Sequence, residues 1–335
     1  MSILDRPNPY TAGPMSTRLR LIVNPASGGG WPRPRLAALI RLLNDRELDF
    51  HTYFTRSLEH AAELATQAAA KDEVAVAVGG DGLVNAVVNG LAVNPSSGRV
   101  APNAPTTGDA PTTGSAPTTG SSPTTGVLGV VPSGRGNDFA RCLGIRSTAD
   151  AVLALSEGNE RRVDLGRLGD RYFAGVASFG FDSDVVESAE RTRLVKGALV
   201  YPYATVKALW GWRPARFDVE ADGVRSTFIG FSVIVANCGS YGGGMRIAPD
   251  AQVDDGMFDV VSLAVGTRRR FVMQAPKVFR ATHLELPEVT VTRARSVRIE
   301  ADRPFTIYAD GEACGTSPAT FEIAPGTLRV LAPPV

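Results

Sequence analysis

The 335-residue chain has only three cysteines and three histidines. Cys142, Cys238 and Cys314 stand far apart, a spacing that suits reduced thiols better than a disulfide framework or a zinc site, and no partner base marks a catalytic cysteine. His51, His60 and His283 form no metal spacing. No apolar run approaches the roughly 20 uncharged residues of a membrane span, and the amino terminus, with Asp5, Pro7, Pro9 and Pro14, has no signal-peptide core. A cytoplasmic protein is the expectation. Net charge is scarce too: at +1 it argues against a globally basic nucleic-acid binder. Apolar residues, at 44%, are plentiful enough for the cores of two ordinary domains.

The most informative stretch is Val74-Ala75-Val76-Ala77-Val78-Gly79-Gly80-Asp81-Gly82. Five apolar residues without alternation predict a strand covered on both faces, as in a parallel sheet whose ligands gather at the strands' carboxyl ends. Gly79, Gly80 and Gly82 stand at that end, where backbone N–H groups can approach anionic oxygens; Asp81 among them would meet a phosphate through a cation such as Mg²⁺. Leu83, Val84, Val87, Val88 and Leu91 fall at helical spacing, so a helix N-terminus points at the same spot. A tight strand-to-helix turn capped by Asp81 explains the string equally well.

Two further strands end in the same way. Val127 to Val131 leads into Pro132-Ser133-Gly134-Arg135-Gly136-Asn137-Asp138, and Leu19 to Val23 leads into Asn24-Pro25-Ala26-Ser27-Gly28-Gly29-Gly30. Strands and helices alternate from Arg18 to about Ile145, with helices from Pro34 to Asn44 and from Leu58 to Ala70 and a strand at Phe50 to Thr55. That alternation is the grammar of a wound α/β sheet. Residues 1–16 read as a disordered lead-in, and 94–126, where APTTGD-like units repeat, as a disordered insertion. From about Arg162 short alternating segments predict an antiparallel β domain. They include Arg171 to Phe179, Arg216 to Glu220, Phe228 to Ala236, Phe258 to Ala264, Thr320 to Ile323 and a closing strand at Leu328 to Leu331. A helical interruption lies between Val185 and Trp212. The domain expectation is 17–146 with 326–335 for the α/β domain and 147–325 for the β-rich one.

The strings LIVNPASGGG, VAVAVGGDGLVNAVVNGL, VVPSGRGNDFARCLGI, NCGSYGGGMRIAPDAQVDDGMFDVVSL and YADGE resemble the catalytic region of the diacylglycerol kinase family of bacterial lipid kinases, relatives of sphingosine kinases and NAD kinase. The resemblance runs in order over roughly residues 18 to 332. It implies an NAD-kinase-like α/β nucleotide-binding domain, then a β-sandwich-like domain, with the active site in the cleft between them. It implies ATP as phosphoryl donor and Mg²⁺. The nucleotide would be held by Asn24, Ser27, Gly28, Thr55, Gly79, Gly80, Asp81, Gly82, Ser133, Gly134, Arg135, Gly136, Asn137, Asp138 and Glu312. The resemblance makes Asp310 the general base, with Asp81 as its catalytic partner and ligand of the reactive Mg²⁺. It also puts a structural Mg²⁺ on the Asp255 side chain and the carbonyls of Gln252 and Met257. On the residues alone, Asp310-Gly311 and Asp254-Asp255-Gly256 are equally hairpin turns, and Asp138 is equally the N-cap of a helix starting at Phe139.

The family pattern is broken at Leu83, where a threonine is usual, at Ala86, where a glutamate is, and at Arg135. A hydrogen bond to a charged acceptor is worth roughly 1.5–3 kcal/mol, so these losses bear on nucleotide affinity. The expected activity is transfer of the γ-phosphoryl group of ATP to the hydroxyl of diacylglycerol, giving phosphatidic acid. Sphingosine- or ceramide-type lipid kinase, NAD kinase and a catalytically silent lipid- or nucleotide-binding regulator are the alternatives. The expected partner is a lipid substrate at the inner face of the membrane, with no nucleic acid and with a homodimer open. Cations and aromatics from Arg191 to Trp212, joined by Arg268, Arg269, Arg270, Phe271, Lys277 and Arg280, suit either bilayer docking or a helix packed on the sandwich with a solvated basic face.

Overall fold

The computed structural model describes residues 18–25, 33–92, 126–191 and 200–333. The expected lead-in, the repeat insertion up to residue 125, Ser27, Gly28, Arg193 and Lys196 lie outside the described residues.

The uninterrupted apolar runs become the central strands of a parallel sheet. β1 (Leu19–Val23) and β3 (Val74–Gly79) are buried along their whole length. They lie between β2 (Phe50–Phe54) and β4 (Val127–Pro132), all four parallel in the order β2-β1-β3-β4. Helices α1 (Arg33–Asn44), α2 (Leu58–Ala70) and α3 (Asp81–Ala92) pack apolar faces onto this sheet. Ser57 starts α2 by accepting the His60 N–H, as an N-cap should. A short α4 (Asp138–Cys142) follows β4. The sequence reading names no helix at α5 (Thr148–Glu157), which opens on a reciprocal Ser147–Asp150 capping box and adds Ala151, Val152, Ala154 and Leu155 to the same core.

The second half is antiparallel. Its elements are β5 (Glu160–Leu168), β6 (Arg171–Phe173), β7 (Val176–Gly180), α6 (Phe181–Arg191), α7 (Val200–Gly211), β8 (Ala215–Ala221), β9 (Val224–Ala236), β10 (Phe258–Ala264), α8 (Arg268–Gln274), β11 (Val289–Ala294), β12 (Ser296–Ala301), β13 (Thr306–Ala309), β14 (Glu312–Thr316) and β15 (Ala319–Leu331). Short 3₁₀ helices at Ala275–Arg280 and Thr282–Glu285 follow α8. Phe173, Phe179, Phe217, Phe258 and Phe321 fill the core.

Two expected segments differ. The strand read over Arg171 to Phe179 is split into β6 and β7, because the intervening backbone serves a carboxylate described below rather than a ladder. The separate strands read at Thr320 to Ile323 and Leu328 to Leu331 are one, β15, whose register shifts between Ala324 and Leu328. Its first part pairs with β12, and Arg329 and Val330 pair parallel with β4. One strand therefore joins both domains.

The expectation of three reduced thiols is corrected. Cys142, ending α4, is bonded to Cys238, just beyond β9, in a disulfide whose Cα atoms lie 6.2 Å apart; Cys314 is free. Their separation of 96 residues hid the contact, since sequence distance carries no information about two loops that meet between domains. Among the described residues no helix is long and apolar enough to cross a membrane. Alkylation of the unfolded, unreduced protein should therefore modify one thiol, and all three only after reduction. Three reactive thiols before reduction would contradict the crosslink.

Candidate active site

The two phosphate-type loops touch. The Ser133 N–H donates to the Gly79 carbonyl at 2.9 Å, and a Cβ placed on Gly80 would come within 3.1 Å of the Gly134 Cα. A side chain at Gly134 would run into the Gly80 backbone, so glycine is required there for the loops to meet. Asn137 closes the second loop from the left-handed region (φ +54°). Its Oδ1 accepts the Gly134 N–H at 2.7 Å and its Nδ2 donates to the Gly134 carbonyl at 2.9 Å.

Asp81 opens α3, and its Oδ1 reaches across to accept the N–H groups of Asp138 (2.8 Å) and Phe139 (3.3 Å). The start of α4 is thus capped from another loop. Asp138 is the first residue of α4, not its N-cap, a position held by Asn137. This frees the Asp138 carboxylate to accept from Arg141 at 2.8 Å and from the Gly243 N–H at 2.8 Å. Gly243 belongs to the second domain, so Asp138 spans the cleft.

Asp310 spans it from the other side. It follows β13 with φ +49°, and its carboxylate accepts four N–H bonds. Oδ2 takes Asn85 Nδ2 (2.9 Å) and Ala174 N–H (2.8 Å); Oδ1 takes Gly175 N–H (2.9 Å) and Val176 N–H (3.0 Å). Of the last three, Ala174 and Gly175 lie between β6 and β7 and Val176 opens β7. Asn85 stands one turn after Asp81 on α3, and Asn89, a further turn on, exchanges hydrogen bonds with the Tyr172 backbone in both directions at 2.9 Å. The sequence reading passed over Asn85 and Asn89. The signal was present: Asp81, Asn85 and Asn89 form a polar i, i+4, i+8 stripe on an otherwise apolar helix.

Of the other expected residues, Asn24 and Thr55 follow β1 and β2 at the same sheet edge, with N–H bonds to Val78 and Val23 carbonyls. The Glu312 carboxylate lies 3.1 Å from where a Gly82 Cβ would sit. Arg135 is exposed. Leu83 is buried against Gly79, so the residue replacing the family's threonine serves the core. Beside the cleft, at the start of α6, Asp182 Oδ2 is sealed from solvent without a partner. Burial pushes the Asp182 carboxyl up to about 6, opposed by hydrogen bonds from Tyr241 and Ser232.

Burial, then the neighbouring Asp138, push the Asp81 carboxyl upward, and Asp310 adds to this against the two N–H bonds. Burial likewise raises the Asp310 carboxyl, while its four donors pull it down. Asp81, Asp138 and Asp310 thus share one region in which Arg141 is the cation bonded to Asp138. Such a surplus of hard oxygen suits Mg²⁺. The Ser133 hydroxyl is buried without a partner, the state of a donor shaped for an anionic oxygen. These residues fit a metal-bound triphosphate.

Asp255, the expected ligand of a structural Mg²⁺, is held by protein partners. Its Oδ1 accepts the Met257 N–H at 3.0 Å and its Oδ2 is paired with the Arg293 guanidinium. The backbone of this turn donates from Gly256 to the buried Asp164 at 2.6 Å, and Asp250, Asp254 and Asp259 keep further negative charge close by. Among the described residues no group of three or more His, Cys, Asp or Glu side chains is arranged to hold a metal unaided.

Comparison with known proteins bears on family and fold. The family described as diacylglycerol kinase catalytic domain matches residues 18–168, and that described as YegS C-terminal NAD kinase beta sandwich-like domain matches residues 175–332. The chain is 31% identical to a diacylglycerol kinase of Mycobacterium tuberculosis (strain ATCC 25618 / H37Rv) over 94% of its own length and 95% of the relative's. With the diacylglycerol kinase of Bacillus subtilis (strain 168) it shares 29% identity over 91% and 92% of the two chains. A crystal structure of a diacylglycerol kinase from Bacillus anthracis str. Sterne superimposes with a TM-score of 0.69 at 19% identity, covering 95% of this chain and 97% of that one, which shows a common fold.

A Cβ added at Gly136 would collide with Asp81 Oδ2. Gly136→Ala should therefore lower phosphoryl transfer about tenfold or more with little change in melting temperature. Unaltered turnover would mean that Asp81 Oδ2 is not used.

Proposed function

Because the chain belongs to the diacylglycerol kinase family, we propose that it is an ATP-dependent lipid kinase whose acceptor is the primary hydroxyl of diacylglycerol and whose product is phosphatidic acid. The observation that carries this reading is the convergence of Asp81, Asp138 and Asp310 at the edge where two glycine loops meet. Binding falls to the backbone of Gly79 to Gly82 and of Ser133 to Gly136, with the Ser133 hydroxyl, Asn24 and Thr55 beside them and Glu312 at the start of α3. When bound near Asp81 and Asp138, Mg²⁺ would shield the charge of the phosphoryl group in transit.

Transfer requires the acceptor oxygen to form a bond to the γ-phosphorus while the bond to the β–γ bridging oxygen breaks and ADP leaves. The hydroxyl proton needs an acceptor. A carboxylate offers about four lone-pair sites, and all four of Asp310 are engaged. Asp81 keeps Oδ2 free of the two N–H bonds that hold its Oδ1. The base role expected for Asp310 therefore passes to Asp81, whose carboxyl is raised toward a more basic value by burial and by Asp138. Asp310 is a positioning residue that fixes α3, and with it Asp81, against the second domain. The acceptor would reach this point from a membrane surface.

Incubation with labelled ATP and a panel of diacylglycerol, sphingosine, ceramide and NAD tests the reading. Label should enter diacylglycerol, and Asp81→Asn should lower the rate by about 10²-fold or more, the usual worth of a general base. Label in sphingosine or NAD instead, or an Asp81→Asn enzyme of undiminished rate, would overturn it.

A further inference from the structure

The two sulfurs of the Cys142–Cys238 bond stand in different surroundings. Cys238 is fully buried in the core of the α/β domain. Cys142 is half-buried and lines a surface cavity of about 310 Å³ that extends to Gly239 and Gln252. The two charged side chains in its wall, Arg161 and Asp254, are partly exposed and paired with each other at 2.7 Å, so their charges offset one another toward an incoming anion. An exchanging thiolate takes the sulfur it can reach, and that sulfur is Cys142.

The bond ties together the groups that fix the cleft. Cys142 ends α4, whose first residue is Asp138. Cys238 follows Asn237, a buried residue whose Nδ2 donates to the carbonyls of Ala174 (2.8 Å) and Asp164 (2.9 Å) and whose N–H donates to the Gly175 carbonyl at 2.9 Å. Ala174 and Gly175 are two of the backbone donors to Asp310. Five residues beyond Cys238, Gly243 donates to Asp138. One covalent bond thus connects the segment that braces Asp310 with the helix that carries Asp138.

The reduced state has a place as well. Cys238 Sγ lies 3.8 Å from the Asp138 carbonyl oxygen, so a thiol formed there has an acceptor within reach, and the Cys142 thiol stands at the cavity. A crosslink that serves stability alone is best sealed from thiols, and accessible disulfides are the ones that exchange.

We propose that Cys142–Cys238 is a site of reversible reduction by a dithiol, and that its state sets how firmly Asp138 is held across the cleft. One thiolate of the reductant forms a bond to Cys142 Sγ as the Cys142–Cys238 bond breaks, and Cys238 leaves as a thiolate that takes up a proton. The second thiolate then attacks the reductant's own sulfur in this mixed disulfide and releases Cys142, which takes up a proton in turn. Two electrons pass to the protein, and the reductant, having given up two protons, ends as its own disulfide. Only the effect on phosphoryl transfer rests on the kinase reading.

Millimolar dithiothreitol added to the folded protein without denaturant tests this. Mass spectrometry after alkylation should find Cys142 and Cys238 both modified, while circular dichroism stays that of the folded protein. With the bond open, hydrogen exchange at the Gly243 amide should be about fivefold faster or more, the worth of weakening one hydrogen bond. Transfer of label from ATP to diacylglycerol should slow by a similar factor, and oxidised glutathione should reverse both changes. Cys142→Ser should behave as the reduced protein with or without dithiothreitol, whereas Cys314→Ser should respond as the parent does. A bond that survives dithiothreitol until the protein is unfolded would overturn the proposal, as would loss of the folded spectrum on reduction. So would a Gly243 amide that exchanges at the oxidised rate after reduction or, in an active enzyme, label transfer that reduction leaves unchanged. If neither state labels diacylglycerol, the kinase reading alone fails, and exchange at Gly243 still decides the switch.

Discussion

Four N–H groups drawn from two domains end on one buried carboxylate, that of Asp310. One comes from α3 of the nucleotide-type domain and three from consecutive residues that run from the β6–β7 connection into the first residue of β7. A buried carboxylate is stable only when its lone pairs are satisfied, so any shift of one domain against the other would strand it. Asn89 and Tyr172 repeat the link one turn along, and Gly243 on Asp138 closes the opposite wall. The two domains are therefore joined at the cleft by polar bonds and by the Cys142–Cys238 bond beside Asp138, and away from it by β15.

From that constraint the chemistry follows. The helix that holds Asp310 through Asn85 presents Asp81 from its first turn, and Asp81 in turn caps α4, which carries Asp138. Each acidic side chain thus positions the element bearing the next, and the surplus negative charge is left for a metal-bound phosphate to offset. Burial and mutual repulsion raise the Asp81 carboxyl, and its Oδ2 is free of the two N–H bonds that hold Oδ1, whereas Asp138 is held by Arg141 and Gly243 and Asp310 by four N–H groups.

The parts of this arrangement that depend on local chemistry were legible in the amino-acid order. Val74 to Gly82 announces a doubly covered strand, a turn and a helix because each preference lies within a few residues, and the resemblance to diacylglycerol kinases orders the domains. What could not be read depends on distant partners. Arg171 to Phe179 alternates like one strand and is two, because Asp310, more than a hundred residues on, draws its backbone away from a ladder. The Arg293 partner of Asp255 could not be read from Asp254-Asp255-Gly256, and Cys142 looks unpaired until Cys238 arrives beside it. Asn85 was legible in principle, as a polar residue one turn after Asp81 on an apolar helix, but its meaning needed Asp310.

The account turns on Asn85 and Asp310 acting as one interdomain clamp, and a double-mutant cycle on unfolding free energy measures that directly. Asn85→Ala and Asp310→Ala, each alone and together, should show a coupling energy of about 1–3 kcal/mol, as expected for residues in one buried network. Losses that simply add, to within about 0.5 kcal/mol, would mean that the two side chains do not meet in the folded protein, and the site built around them would have to be abandoned.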